Sequence, residues 1–208
     1  MADRPSIEDI NRGAGVGIEL GCGPDRARPG YVTVDLQDLP NVDLVGDARE
    51  VLGQLDDNTI TGVYTSHFLE HIDDVPGFLA ELARVSRDGA IWEITVPHFS
   101  NPWYFSDVTH RGFFGLYSFC YLGIDGIGFT RKVPGYAQVP GVRLTGVRLV
   151  FGTLDNWPIR HFIRKGFQKL FNMSHWTQEL YEDCFTGIIP CYQLEYRIEI
   201  DKSGAAKS

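Results

Sequence analysis

Two histidines, an aspartate and an arginine lie within one short stretch of this chain, residues 98–111. Histidine is the commonest general base for removing a proton from a hydroxyl group, and an adjacent aspartate can orient its ring. The spacing Asp107-x-x-His110 places both side chains on one face if the segment is helical. We therefore predict that His98 or His110 acts as a base and that Asp107 orients it.

The same residues permit two other interpretations. His98, Asp107 and His110 could hold a divalent ion such as Mg²⁺ or Mn²⁺, which would lower the pKa of a bound hydroxyl. Only one acid is local, however, and Mg²⁺ prefers carboxylate ligands. Alternatively, Asp107, His110 and Arg111 form a structural turn. All three interpretations stay open at the level of sequence.

A glycine turn near the start of the chain has a different chemistry. Residues 17–24 read Gly-Ile-Glu-Leu-Gly-Cys-Gly-Pro, and Asp35 ends the next apolar run. Gly21 and Gly23 let the backbone approach a ligand where a Cβ would collide. Asp35 is placed to accept hydrogen bonds from both hydroxyls of a ribose. The pattern indicates a nucleoside site.

The elements that position these residues follow an α/β pattern. Apolar, β-branched runs alternate with helical spacing, which indicates a mostly parallel sheet covered by helices. Asp74 is a candidate N-cap with Pro76 near the first helical position, and the last two strands are expected to be antiparallel. The seven predicted strands are residues 16–20, 31–36, 42–46, 60–66, 90–97, 142–152 and 192–200.

The link between the first two strands is unusually short. It spans only residues 21–30 and contains Pro24, Pro29 and Gly30, whereas a parallel crossover normally takes about a dozen residues or more. We expect the first helix of the fold to be truncated to a single turn at most. That face of the sheet should then be open, or be covered by residues 7–10 or by a partner subunit.

The nucleoside is not expected to be a dinucleotide. A dinucleotide turn has a third glycine and opens a full helix that holds a pyrophosphate, and this chain has neither feature. A second acid, in Asp47-Ala48, instead suits an adenine amino group. A nicotinamide oxidoreductase remains the alternative.

These motifs resemble those of class I S-adenosylmethionine-dependent methyltransferases. The resemblance covers roughly residues 14–98 and is carried by Glu19-Leu20-Gly21-Cys22-Gly23, Asp35, Asp47-Ala48 and Ser66-His67-Phe68-Leu69-Glu70-His71-Ile72. It implies one Rossmann-like domain over residues 1–208, with a cofactor half (14–98) and an acceptor half (98–208). It also implies that S-adenosylmethionine is bound by Glu19, Gly21, Cys22, Gly23, Asp35, Leu36, Asp47, Ala48, Ser66, His67 and His71.

The acceptor half is rich in aromatic residues, which suit the apolar faces of a sugar. Its sequence resembles small bacterial methyltransferases of polysaccharide biosynthesis, including the sugar O-methyltransferases of mycobacterial methylmannose polysaccharides. We expect in-line O-methylation of a sugar hydroxyl with a histidine base, and acceptor contacts from Trp103, Tyr104 and Arg111. The alternatives are a phenol or quinone-like acceptor and a non-catalytic, methyltransferase-like scaffold subunit.

Composition limits the partners. The chain has 208 residues and a net charge of −8, which counts against a general nucleic-acid binder. There is no apolar run long enough for a membrane span and no signal core. The four cysteines lack metal-ligand spacing. We expect a cytoplasmic protein without a membrane partner, and a homodimer.

Overall fold

The computed structural model describes residues 4–24, 28–152 and 158–203. Its strands are β1 (Val16–Leu20), β2 (Tyr31–Asp35), β3 (Leu44–Val45), β4 (Ile60–Ser66), β5 (Ser86–Pro97), β6 (Ile124–Asp125), β7 (Val142–Val150) and β8 (Gln193–Ile200). Its α-helices are α1 (Ile7–Arg12), α2 (Ala48–Gly53), α3 (Val75–Val85), α4 (Ser118–Leu122), α5 (Pro158–Phe171) and α6 (His175–Cys184). Two 3-10 helices lie at Leu69–His71 and Tyr104–Ser106.

All these strands belong to one sheet, in the order β3-β2-β1-β4-β5-β8-β7-β6. The strands from β1 to β5 are parallel, and β8 lies antiparallel between β5 and β7. The predicted mixed sheet and its antiparallel pair are confirmed. The prediction of seven strands is wrong, because β6 adds an eighth at the edge beside β7. A strand of two residues is too short to show a sequence period.

The face of the sheet that carries the apolar core is covered by helix α3. Trp92, Ile94 and Val96 of β5 are buried, and they alternate with half-buried polar residues. α3 buries Phe78, Leu79 and Leu82. The helix starts where the sequence predicted, because the Asp74 side chain accepts the N–H of Gly77 and a proline occupies the first turn.

The opposite face of the sheet is polar, and an arginine from the short β1–β2 link lies over it. Arg28 stacks on the rings of Tyr31 and Tyr64, at 5.0 and 4.8 Å from their centroids, and forms an ion pair with Glu93. No helix occurs in residues 21–24 and 28–30, while residues 25–27 of the predicted single turn lie outside the described residues. Arg28 therefore covers part of the area that a crossover helix would occupy.

Of the remaining helices, α2 packs beside α3, α4 packs against β6 and β7, and α5 packs against α6 and β7. α1 buries Ile10, which joins the main core. α5 carries four basic residues, of which Arg164 is half-buried and the other three are exposed: Arg160, Arg164, Lys165 and Lys169. Within the parts of the chain described above, no helix is both long and apolar enough to cross a bilayer.

Candidate functional site

The glycine turn after β1 has a backbone conformation that favours glycine. Gly21 and Gly23 have φ angles of +66° and +59°, in the left-handed region. A Cβ on Gly21 would lie 2.7 Å from a ring carbon of Phe68, whereas a Cβ on Gly23 would meet nothing within 4 Å. Glycine is thus required at position 21 by both backbone and packing, and at position 23 by backbone alone.

Asp35 ties this turn to the end of β2. One of its carboxylate oxygens accepts the N–H of Gly23 at 2.9 Å, and the other accepts the N–H of Gln37 at 2.9 Å. Each carboxylate oxygen has a second lone pair. Asp35 can therefore hold the turn and still accept hydrogen bonds from the two hydroxyls of a ribose. The neighbouring Leu36 is exposed and could lie against a base.

Asn41 also stabilises the turn, a role that was not predicted from the sequence. Its Nδ2 donates to the carbonyl oxygen of Gly23 at 2.7 Å. An asparagine in a loop carries no pattern that would single it out. Cys22, between the two glycines, is buried. Burial, with the charges of Asp35 and Glu19, raises the pKa of its thiol to about 11. The thiol therefore stays neutral and fills space.

Glu19 and Asp47, the other acids predicted near the cofactor, both have structural partners. Glu19 is buried and accepts the backbone N–H of Arg28. Asp47 is the N-cap of α2, where its side chain accepts the N–H groups of Arg49 and Glu50, and Ala48 is buried behind it. Gly46, just before Asp47, donates its N–H to the carbonyl of Asp35 at 2.9 Å. The β2 and β3 ends that carry the two acids are thus adjacent.

The end of β4 carries a strained residue. His67 has a φ of +56°, which is uncommon outside glycine and clusters at functional sites. Its Nε2 lies 3.1 Å from Oε1 of Gln193, and its Nδ1 lies 3.4 Å from Oε1 of Glu70. His67 and Ser66 stand beside the glycine turn, because β4 pairs with β1 up to Leu20 and Thr65.

His98, one of the two predicted bases, lies in the protein interior. It is fully buried, and its Nδ1 accepts the N–H of Ser100 at 3.0 Å. Its Nε2 therefore carries the ring proton and donates to Glu182 of α6, at 2.9 Å. These contacts favour a structural role, and they do not bring His98 together with Asp107 and His110.

Asp107 and His110 do lie together. Nε2 of His110 is 3.7 Å from Oδ2 of Asp107, and Nδ1 of His110 is 2.9 Å from the carbonyl oxygen of Tyr104. Hydrogen bonds from the side chain and backbone of Thr109 hold the pKa of Asp107 below its ordinary value, and the neighbouring histidines add to this. The pair sits in a loop rather than on one helix face, since the 3-10 helix ends at Ser106.

His71, predicted on the cofactor side, joins this pair. Its ring centroid is 4.9 Å from that of His110, and its Nδ1 is 2.9 Å from the hydroxyl of Thr109. Glu70 supplies a buried carboxylate next to it; in the sequence this residue belongs to the motif of residues 66–72, but no role was predicted for it. One ligand atom each from Glu70, His71 and His110 lie within 4.8 Å of one another, so these three residues could hold a metal ion.

The predicted acceptor contacts divide between the surface and the core. Trp103 is 41% exposed and Arg111 is paired with Asp73 at 3.5 Å. Tyr104 is buried, with its hydroxyl donating to the carbonyl of Gly112, and burial beside Glu70 raises its pKa. The rings of Phe105 and Phe113 are more exposed, at 70% and 62%, and their centroids lie 5.9 Å apart.

Known proteins resemble this chain in part of its sequence and in its fold. A family model described as a methyltransferase domain matches residues 26–92, less than half of the chain. No curated protein matches this chain. Among solved structures, the YcgJ protein of Bacillus subtilis is 14% identical, with a TM-score of 0.51 over 94% of this chain and 95% of that one.

Two further solved structures show how widely the fold is used. A Haloferax volcanii complex of the Trm112 methyltransferase activator with its candidate methyltransferase gives a TM-score of 0.52 at 12% identity, covering 92% of this chain and 87% of that one. The [4+2]-cyclase SpnF gives 0.50 at 12% identity, covering 94% and 79%. Likeness at such identity establishes the fold, and function must come from the site.

The chain has the Rossmann-like fold of class I methyltransferases. Within it, residues 26–92 match the model of a methyltransferase domain. The glycine turn, Asp35 and the end of β4 lie together at the carboxyl ends of neighbouring parallel strands. The match to a methyltransferase-domain model and the shared fold together favour a methyltransferase.

Proposed function

We propose that this protein transfers a methyl group from S-adenosylmethionine to a hydroxyl group. The observation that carries the proposal is the glycine turn tied to Asp35 at the carboxyl ends of β1 and β2. In open α/β sheets, ligands bind at these strand ends where the strand order reverses, here between β1 and β4. The turn presents backbone N–H groups to a ligand, and residues 21–24 and 28–30, the described part of the link after β1, contain no helix whose dipole would favour a pyrophosphate. This arrangement suits a sulfonium cofactor.

Binding of S-adenosylhomocysteine tests the cofactor. Calorimetry should give a micromolar dissociation constant for the wild type and no comparable binding of NAD. Asp35→Ala should weaken binding roughly tenfold to a hundredfold, because a hydrogen bond to a charged group contributes about 1.5–3 kcal/mol. Asp38→Ala is the matched control, since Asp38 is exposed and pairs only with Arg4 among the described contacts.

Asp35 also supports the turn, so its variant needs a second measurement. Asp35→Asn keeps one oxygen acceptor and should fall between the wild type and Asp35→Ala. Unchanged binding in both variants, with unchanged melting temperatures, would remove Asp35 from the site. No binding of S-adenosylhomocysteine by the wild type would leave the scaffold alternative standing.

Within the proposed reaction, His110 activates the acceptor. In the neutral ring, Nδ1 donates its proton to the carbonyl of Tyr104, so Nε2 keeps the lone pair that can take a proton from a hydroxyl. His110→Ala should lower turnover by about 10²–10⁴-fold, the usual contribution of a general base, and leave S-adenosylhomocysteine affinity unchanged. His98→Ala should instead lower the melting temperature, because it leaves the carboxylate of Glu182 without its ring partner.

The acceptor class we propose is a saccharide. Three exposed rings, Trp103, Phe105 and Phe113, lie close to His110 in sequence and offer apolar surface to a sugar face. A screen with labelled S-adenosylmethionine should give transfer to oligosaccharides before phenols or quinones. Transfer to phenols alone would favour the small-molecule alternative. The expected homodimer is checked by light scattering on the same preparation.

A further inference from the structure

We propose that Glu70, His71 and His110 form a binding site for one divalent transition-metal ion. One ligand atom from each residue lies within 4.8 Å of the other two. The backbone fixes this arrangement, because the carbonyl of Glu70 accepts the N–H groups of Arg111 and Gly112, at 2.7 and 3.1 Å. The 3-10 helix that carries Glu70 and His71 is thus bonded to the loop that carries His110.

The first observation behind this site is the state of Glu70. Its side chain is fully buried, and neither carboxylate oxygen has a hydrogen-bond partner among the described residues. The nearest basic atom that the structure describes is Nδ1 of His67, at 3.4 Å from Oε1. Burying a carboxylate without a partner is costly. A cation between Glu70 and the two imidazoles would satisfy it.

The second observation is the way both imidazoles are held. Nδ1 of His110 donates to the carbonyl of Tyr104. The hydroxyl of Thr109 donates to Asp107 at 2.6 Å, so its oxygen accepts the Nδ1 proton of His71 at 2.9 Å. Both rings therefore keep their lone pair on Nε2. Metal-binding histidines are held in this way, with the second nitrogen donating to a carbonyl or to a group backed by a carboxylate.

The donor set selects the kind of ion. Two imidazoles and one carboxylate suit Zn²⁺, Co²⁺ or Fe²⁺, whereas Mg²⁺ prefers oxygen ligands throughout. Three protein ligands leave coordination positions for other groups, as in catalytic zinc sites. The set differs from the His98, Asp107 and His110 set that the sequence suggested, since His98 is turned toward Glu182.

The role of the ion in catalysis rests on the proposed function, whereas the binding of the ion to these three residues does not. When bound, it would supply a Lewis acid that lowers the pKa of a coordinated hydroxyl. His110 would then serve as a ligand rather than as the group that takes the proton. The exposed rings beside it would still orient the acceptor.

The test is metal binding to the intact chain after chelator treatment and dialysis. Titration with Zn²⁺ by calorimetry, and with Co²⁺ by its visible absorption, should give one ion per chain, and Mg²⁺ should give no comparable signal. Glu70→Gln, His71→Ala and His110→Ala should each weaken Zn²⁺ binding at least about tenfold, as even the loss of a supporting contact does. His161→Ala, an exposed histidine on α5, is the matched control and should bind as the wild type does.

Each outcome bears on the proposal. Wild-type binding no tighter than that of the three variants overturns it, and leaves Nδ1 of His67 as the one described partner of the Glu70 carboxylate. If Glu70→Gln does not fold, His71→Ala decides alone, through loss of the Zn²⁺-induced rise in melting temperature. Zn²⁺ binding without S-adenosylhomocysteine binding would defeat the proposed function and keep the metal site. The reverse result would leave His110 as the direct base.

Discussion

Gly21 shows how one residue serves both fold and site. Its left-handed backbone disfavours any side chain, and the ring of Phe68 occupies the position that a Cβ would take. Gly23 shares the backbone requirement but has open space around it. The two positions therefore separate the cost of backbone strain from the cost of a collision.

We expect Gly21→Ala to be clearly more damaging than Gly23→Ala. The left-handed backbone costs an alanine about 1–2 kcal/mol at either position, and only Gly21→Ala must also displace Phe68, which packs on Phe78. Thermal unfolding and S-adenosylhomocysteine affinity measure the difference. Equal losses in the two variants would show that Phe68 moves aside without cost.

For single residues, the sequence indicated candidate residues more reliably than it indicated the partners of those residues. Gly21, Gly23 and Asp35 could be singled out because a glycine turn and a strand-end acid have a recognisable spacing, and a hydrogen bond joins Asp35 to this turn. His98 and His110 look alike in sequence, yet one is buried against Glu182 and the other faces Asp107. That difference arises from α6, which lies far along the chain and which no local pattern connects to His98.

Individual helices and strands could be predicted where the sequence pattern that indicates them is local. Helix α3 has its apolar spacing, its Asp74 cap and its proline in the first turn, and all three occur as predicted. β5 begins at Ser86, before the predicted start at residue 90. The prediction started too late because Arg87, Asp88 and Gly89 do not continue the apolar pattern of the strand. β6 gave no signal, since it is formed by its pairing with β7.

The cap of α3 gives a prediction at the scale of an element. Asp74→Ala should lower the stability by about 1 kcal/mol, the usual value of an N-cap, and the melting temperature by roughly 2–4 °C for a domain of this size. Asp74→Asn retains a capping oxygen and should recover most of the loss. An equal decrease in both variants would point instead to the ion pair of Asp74 with Arg49, at 3.8 Å.

At the scale of the whole molecule, an arginine on α3 joins the helix to the loop before β4. Arg84 donates to Glu81 on its own helix, to Asp57, and to the carbonyl oxygens of Leu52 and Leu55. Arg28 has a comparable role on the polar face of the sheet. Neither role was predicted, because an isolated arginine in a sequence is most simply a solvated charge.

The Arg84 network predicts a dependence of stability on pH. The hydrogen bond from Arg84 lowers the pKa of Glu81 in the folded chain, and burial opposes this only in part. A group whose pKa is depressed by folding stabilises the fold above its unfolded pKa, about 4.3 for glutamate. That stabilisation is lost as the pH falls through the lower, folded value.

Glu81→Gln should therefore be less stable than the wild type near neutral pH. The two free energies of unfolding should begin to converge below about pH 4.3, the unfolded pKa of glutamate, and should meet only below the lower, folded value. Urea unfolding at a series of pH values measures this difference. Other acids with lowered pKa values, such as Asp125 and Glu179, give both proteins the same acid-dependent slope. Glu8→Gln is the control, because Glu8 pairs with Arg12 on the surface of α1 with both side chains more than three-quarters exposed. A constant offset between Glu81→Gln and the wild type across the pH range would mean that Arg84 stabilises the fold through the backbone carbonyls alone.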